Sequence, residues 1–116
     1  MALTLYGIPN CDTVKKARRW LDERGVAYAF HDYRKDGLDP ALLDRWVDAL
    51  GWEKLLNKSG TTFRKLPDAD KAGIDAAKAK ALMLDQPAMI RRPLVDADGA
   101  YSMGFSADDW QQRFAA

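Results

Sequence analysis

The chain has 116 residues, 47% of them apolar, with 18 Lys and Arg against 17 Asp and Glu for a formal charge of +1. That length suits one domain with a real core, and the balanced charge gives no basic field of the kind that gathers nucleic acid or an anionic membrane. No apolar run reaches membrane-spanning length, nothing near the start resembles a signal peptide, and the single cysteine, Cys11, cannot close an internal disulfide. The expectation is a cytoplasmic protein whose disulfides, if it forms any, are intermolecular.

In chain order, Leu3, Leu5 and Ile8 belong to a short apolar run of strand formers that Pro9-Asn10 breaks. Asp12 and Thr13 are N-cap types, so a helix is predicted to begin at the cysteine. At 100° per residue Val14, Ala17, Trp20 and Leu21 share one side of it, Lys15, Lys16, Arg18 and Arg19 spread over the other, and Gly25 is its stop. Residues 26–33, VAYAFHDY, read as a second strand.

A second helix is predicted with Asp39 as N-cap and Pro40 at its first position. It carries Leu42, Leu43, Trp46, Val47 and Leu50 up to Gly51. Trp52 to Leu56 reads as another short helical piece, NKSGTT as a polar loop, and FRKLPDADKAG as irregular chain broken by Pro67 and Gly73. Asp75 caps an alanine-rich helix that runs to about Leu84 and is closed by Gln86-Pro87. Pro93 to Val95 and Ala100 to Met103 flank Asp96-Ala97-Asp98-Gly99 as a hairpin, and Ser106 with Asp109 three residues on is close to a capping box for a last helix.

This order is a βαβ unit and a ββα unit separated by a helical insertion at approximately residues 39–86, an α/β arrangement whose halves side by side make a thioredoxin-like fold. Cys11 stands at the strand-to-helix junction. There the first N–H groups of the helix lack intrahelical partners and its dipole favours an anion, so a sulfur ionises more readily than a free thiol. Lys15 and Lys16, about one turn away, are expected to add positive potential, although basic residues opposite an apolar stripe are also simply a solvated face. A lone cysteine without such a context reads equally well as a small buried hydrophobe.

The segments YGIPNCDTVKKARRWL, GTTFRKL, RRPLV and GFSADDW, in that order over essentially the whole chain, resemble the family of glutaredoxin-coupled arsenate reductases (ArsC-like) and Spx/MgsR regulators, above all its YffB-like branch. The resemblance implies that Cys11 is the nucleophile, that Arg92 reaches the active site, and that Pro93 is the cis-proline beside the cysteine. Asn10, Asp12 and Thr13 around the cysteine, and Lys58 and Arg64 in or beside the segment resembling the family's active-site loop, become candidate binding residues for an anion or carboxylate. Two further arginines that hold the oxyanion in the arsenate reductases are missing, with Asn57 and Gly104 in their places. Val14 stands where many Spx proteins carry a second cysteine, so an internal redox switch is excluded.

Two functions follow. One is a glutathione-dependent thiol reductase in which Cys11 attacks a disulfide or oxyanion substrate and glutathione, acting as co-substrate and in concert with glutaredoxin, resolves the mixed disulfide. The other is a non-catalytic regulator that docks on RNA polymerase. His31, midway along the second strand, reads as packed or solvent-facing rather than catalytic, and the four tryptophans as packing residues. No Cys/His spacing or carboxylate cluster suggests a metal, and no phosphate-loop or dinucleotide motif is present.

Overall fold

The computed structural model describes residues 2–114. The chain divides into two compact units, one made by the chain up to Asp36 together with the chain from Arg92 onward, the other being Gly37–Arg91.

The first unit is built on a four-stranded sheet with strands β1 (Leu3–Gly7), β2 (Ala29–Asp32), β3 (Leu94–Ala97) and β4 (Ala100–Met103) in the order β2-β1-β3-β4. Strand β1 is parallel to β2 and antiparallel to β3, and β3 is antiparallel to β4. The parallel pair requires a crossover, which helix α1 (Asp12–Glu23) supplies. Val14, Ala17, Trp20 and Leu21 are the buried residues of α1, the same apolar stripe that the sequence displays. Ala17, Trp20 and Leu21 pack with Leu3, Leu5, Val95 and Trp110 into one core cluster. The C-terminal helix contributes Trp110, whose ring meets Trp20, Phe105 and Phe114 edge-on at centroid distances of 5.8, 4.8 and 5.4 Å. Asp98 and Gly99, with φ of 52° and 89°, form the two-residue turn between β3 and β4. Two successive left-handed residues match the right-handed twist of the strands, and Asp96 Oδ1 accepts a hydrogen bond from Gly99 N at 2.7 Å.

Strand β2 is shorter than its sequence pattern. Of residues 26–33 only Ala29–Asp32 pair with β1, and Tyr33 opens a short helix, α2 (Tyr33–Asp36). The change of direction is made by side chains: Asp32 Oδ1 accepts from Arg34 N at 2.9 Å and Asp36 Oδ2 accepts from Asp32 N at 3.1 Å. Local carboxylate bonds of this kind compete with the strand ladder and end it.

The second unit is helical. Helix α3 (Pro40–Leu50) starts as its sequence predicts, with Asp39 Oδ1 accepting from Ala41 N at 3.0 Å and Pro40 in the first turn, and Gly51 ends it at φ 88°. It is followed by α4 (Trp52–Leu55), α5 (Thr61–Arg64), α6 (Asp68–Lys71), α7 (Ala76–Asp85) and a 3-10 turn, Pro87–Met89. Helix α7 has the predicted cap, Asp75 accepting from Lys78 N at 2.9 Å. FRKLPDADKAG departs from the expectation of irregular chain, because α5 runs to Arg64 and α6 begins right after Pro67, a residue that suits a helix start. The last helix of the first unit, α8 (Ala107–Phe114), begins at Ser106, whose Oγ accepts from Asp109 N at 3.3 Å.

Trp110 is 1% exposed. Trp110→Ala should destabilise the protein by about 3–5 kcal/mol, the usual cost of emptying a large aromatic site in a core. Denaturant unfolding of the two forms measures this, and a difference within about 1 kcal/mol would mean that α8 does not anchor the sheet.

Candidate functional site

Strand β1 ends in Gly7, and this glycine sets the position of the cysteine. A Cβ at Gly7 would lie 2.9 Å from Val14 Cγ2, so only a residue without a side chain lets the first turn of α1 lie this close to the strand. Ile8, Pro9 and Asn10 then carry the chain to Cys11, which is half-buried and reduced.

Cys11, rather than Asp12 or Thr13, is the N-cap of α1. Its backbone is extended (φ −136°, ψ 127°), its carbonyl accepts from Lys15 N at 2.9 Å, and its side chain makes no capping hydrogen bond of regular geometry. The helix begins at the cysteine as its sequence predicts, although cysteine is not a usual cap: a neutral thiol is a poor acceptor, whereas a thiolate is a good one. Burial pushes the Cys11 pKa up. The Val14 N–H, the Arg92 guanidinium acting by hydrogen bond and by charge, and the Thr13 N–H together outweigh that, and the net direction is below the ordinary thiol value. The positive charge beside the sulfur is therefore Arg92 and not, as the sequence suggested, Lys15 or Lys16. Lys15 Nζ instead reaches Asn10 Oδ1 at 3.4 Å, and both lysines are exposed.

Arg92 arrives through the sheet. Tyr6 of β1 pairs with Leu94 of β3, so the two residues before Leu94 run beside the end of β1. The Arg92–Pro93 peptide bond is cis, and Pro93 is buried. On the other flank Gly7 pairs with Asp32, which brings Tyr33 beside the end of β1 as well. Tyr33 is 2% exposed, and burial drives its phenol pKa far upward, opposed by the charge of Arg92 and reinforced by the nearby Tyr6. Nothing in the residue pattern singled out Tyr33, which read as the last residue of a strand.

The first unit thus gathers Cys11, Asn10, Asp12, Thr13, Arg92 and Pro93 around one helix start. Lys58 and Arg64 belong to the helical unit. Lys58 Nζ lies 5.4 Å from the centre of the Trp52 ring, and exposed Arg64 contributes its carbonyl to Lys71 Nζ at 2.7 Å. His31 packs its ring against Tyr6 at 5.0 Å. Gly104 has φ 82°, a conformation that resists any side chain, and its N–H donates to the Pro93 carbonyl at 2.9 Å. Asn57 folds its side chain onto its own backbone, Oδ1 accepting from Ser59 N at 3.1 Å. No group of three or more His, Cys, Asp or Glu that could hold a metal occurs among the described residues, and none of their helices is long and apolar enough to cross a membrane.

A cysteine at a helix start, with a cis-proline and an arginine just ahead of the neighbouring strand, thus stands at the end of a thioredoxin-like sheet. Residues 6–113 match the ArsC family. The chain belongs to the ArsC family. A solved structure of a YffB protein is 51% identical, superimposes with a TM-score of 0.93, and is matched over 97% of this chain and 99% of its own. An arsenate reductase (ArsC) related protein from Brucella melitensis is also 51% identical, with a TM-score of 0.80 over 97% of this chain and 93% of its own. The global transcriptional regulator Spx of Listeria innocua is 27% identical over 112 residues, 92% of this chain and 82% of its own. The ArsC-family chain therefore has relatives related to arsenate reductase and relatives that regulate transcription.

Because the charge acting on Cys11 comes from Arg92, Arg92→Ala should raise the pH midpoint of Cys11 alkylation and Lys15→Ala should leave it in place. At a pH below the midpoint, loss of a charge-assisted bond should slow alkylation by roughly an order of magnitude. Rates followed against pH for the three proteins decide it. Equal midpoints in wild type and Arg92→Ala would show that the helix N–H groups act alone.

Proposed function

We propose that this protein is a glutathione-dependent thiol reductase of the cytoplasm, with Cys11 as nucleophile and Arg92 as the residue that holds the anion. The observation that carries the reading is the thiolate-favouring helix start with Arg92 beside it and no second cysteine in the chain. In the first step the Cys11 thiolate attacks one sulfur of a disulfide substrate. A bond forms from Cys11 to that sulfur, the substrate's S–S bond breaks, and the other sulfur leaves as a thiolate that takes a proton from solvent. A glutathione thiolate then attacks the substrate sulfur of this mixed disulfide, and Cys11 departs as the thiolate with which the cycle began. The electron pair comes from glutathione, which ends in a disulfide with the substrate.

The same features serve both steps. A lowered pKa keeps Cys11 ionised for attack and makes it a good leaving group when glutathione displaces it. The Thr13 and Val14 N–H groups stabilise the sulfur anion, and Arg92 pairs with a carboxylate of the tripeptide, a use suited to the planar fork of guanidinium. Asn10, Asp12 and Thr13 supply polar edges around the sulfur. Lys58 and Arg64, on the helical unit, are the further candidates for binding an anion or carboxylate.

Arsenate is a poor substrate on this reading. A small, multiply charged oxyanion needs dense cationic donors, and with Asn57 and Gly104 in place of two arginines the chain offers one guanidinium of three. Each lost charge-assisted donor is worth about 1.5–3 kcal/mol, so two amount to several powers of ten in rate.

Incubation with oxidised glutathione, read by intact mass, tests the proposal. Wild type should gain one glutathione, released on adding reduced glutathione. Cys11→Ser should gain none, Arg92→Ala should gain it more slowly, and arsenate turnover with glutathione and glutaredoxin should be weak. A wild-type mass that stays unmodified where an ordinary exposed thiol reacts would contradict the reductase. It would favour the second reading, a non-catalytic regulator on RNA polymerase, which the likeness to Spx supports and which capture of polymerase subunits would reveal.

A further inference from the structure

The solvent face of α1 carries charge that the proposed chemistry does not use. Lys15, Arg18, Arg19, Asp22 and Glu23 line an open groove of about 340 Å³ along it. With about 3.6 residues per turn, Lys15, Arg18 and Asp22 follow Cys11 in one stripe along the helix, with Arg19 and Glu23 beside it. The groove starts next to the cysteine: the Cys11 carbonyl accepts from Lys15 N at 2.9 Å, and Lys15 Nζ reaches Oδ1 of Asn10, the residue before Cys11, at 3.4 Å. Arg18 is held in place. Its guanidinium lies 4.2 Å from the centre of the Phe30 ring and its Nε donates to the Tyr28 hydroxyl at 3.4 Å, so the planar fork is ordered before any ligand arrives. Among the described residues no carboxylate forms an ion pair with Lys15, Arg18 or Arg19, although Asp22 and Glu23 stand one turn beyond the two arginines.

We propose that this groove seats the disulfide substrate of Cys11, and that the substrate is an extended protein segment with carboxylate side chains about two to four residues from its reactive cysteine. The proposal rests on the thiol-exchange reading of Cys11 and names a substrate class for it. The spacing follows from two rises. A helix advances about 1.5 Å per residue, so Lys15, Arg18 and Arg19 stand about 6, 10.5 and 12 Å along the axis from Cys11, and Asp22 and Glu23 about 16–18 Å. An extended peptide covers about 3.3 Å per residue. A segment bonded through its cysteine to the Cys11 sulfur therefore passes the three cations about two to four residues out and the two carboxylates at about five. Charge complementarity asks for acidic side chains first and a basic one beyond them. Glutathione, whose arms reach about two residue lengths from its sulfur, meets Lys15 and ends before the two arginines. In the exchange the Cys11 thiolate bonds to the cysteine sulfur of the segment, the bond from that sulfur to its former partner breaks, and the partner sulfur leaves as a thiolate.

The test uses synthetic peptides whose single cysteine is in a disulfide with thionitrobenzoate, which attack by Cys11 on the peptide sulfur expels as a coloured thiolate. One peptide has aspartates two and four residues to either side of its cysteine, and its twin has asparagines there. In wild type at low salt the acidic peptide should react about 3–10-fold faster, the worth of a few exposed charge pairs, and the advantage should shrink as salt rises. A triple variant, Lys15→Gln with Arg18→Gln and Arg19→Gln, should lose the advantage and keep the wild-type rate with iodoacetamide, a neutral probe, with thermal unfolding as the check on folding. Equal rates for the twins in wild type would overturn the proposal. So would an advantage that survives the triple change, since another cation would then be its source. If the triple variant unfolds, Lys15→Gln with Arg19→Gln, both at exposed positions, must remove part of the advantage for the proposal to stand. Oxidised glutathione should lose less rate than the acidic peptide in the triple variant, and an equal loss would assign the groove to a small ligand and overturn the proposal. Release from neither peptide while iodoacetamide still reacts would end the thiol-exchange reading and this proposal together, whereas equal release from both removes the groove alone.

Discussion

The close approach of Val14 to Gly7 is the contact on which the site depends. It presses the first turn of α1 against the end of β1, so that the unpaired N–H groups of that turn and the residue preceding the helix share one small volume. Any side chain at position 7 would push the helix away, and the Val14 N–H would move with it. The anion-favouring end of α1 is thus fixed by core packing, because Val14 and Ala17 are fully buried in the stripe that holds α1 on the sheet. The thiolate environment is a by-product of how this helix packs, with Arg92 added by the antiparallel neighbour of β1.

Much of this could be read from the residues. The apolar stripe of α1, the Asp39-Pro40 and Asp75 helix starts and the β3–β4 hairpin are local patterns whose physics lies within a few neighbours, and they appear where the periodicity and capping rules put them. What failed was either long-range or a contest between two local rules. The sequence credited Lys15 and Lys16 with the charge at Cys11, because they are near in the chain; the cation that acts there is Arg92, eighty-one positions further on and brought near by strand register. Tyr33 has the composition of a strand residue, and the Asp32 and Asp36 side chains turned it into a helix start. Cysteine as its own helix cap escaped because capping preferences describe neutral or oxygen-bearing side chains, not a sulfur anion.

The two positions where the resemblance to arsenate reductases implies arginines differ in kind. Gly104 sits at φ 82° in a turn held by its N–H on the Pro93 carbonyl, so an arginine there would require a different backbone as well as a different side chain. Asn57 is an exchange of side chain alone, with the amide turned to Ser59. This ArsC-family chain has a helix start at Cys11 that favours the sulfur anion, with Arg92 acting on it.

The central claim is that folding makes Cys11 a thiolate at lower pH than an unstructured thiol. Thiolate has its own ultraviolet absorption, so a pH titration of that band in the native protein, compared with the same chain in denaturant and with Cys11→Ser as the blank, measures it directly. A group whose folded pKa lies below its unfolded pKa is deprotonated first in the native state, so the account predicts that the native band rises at lower pH than the denatured one. A native band that rises together with the denatured one, or later, would contradict it.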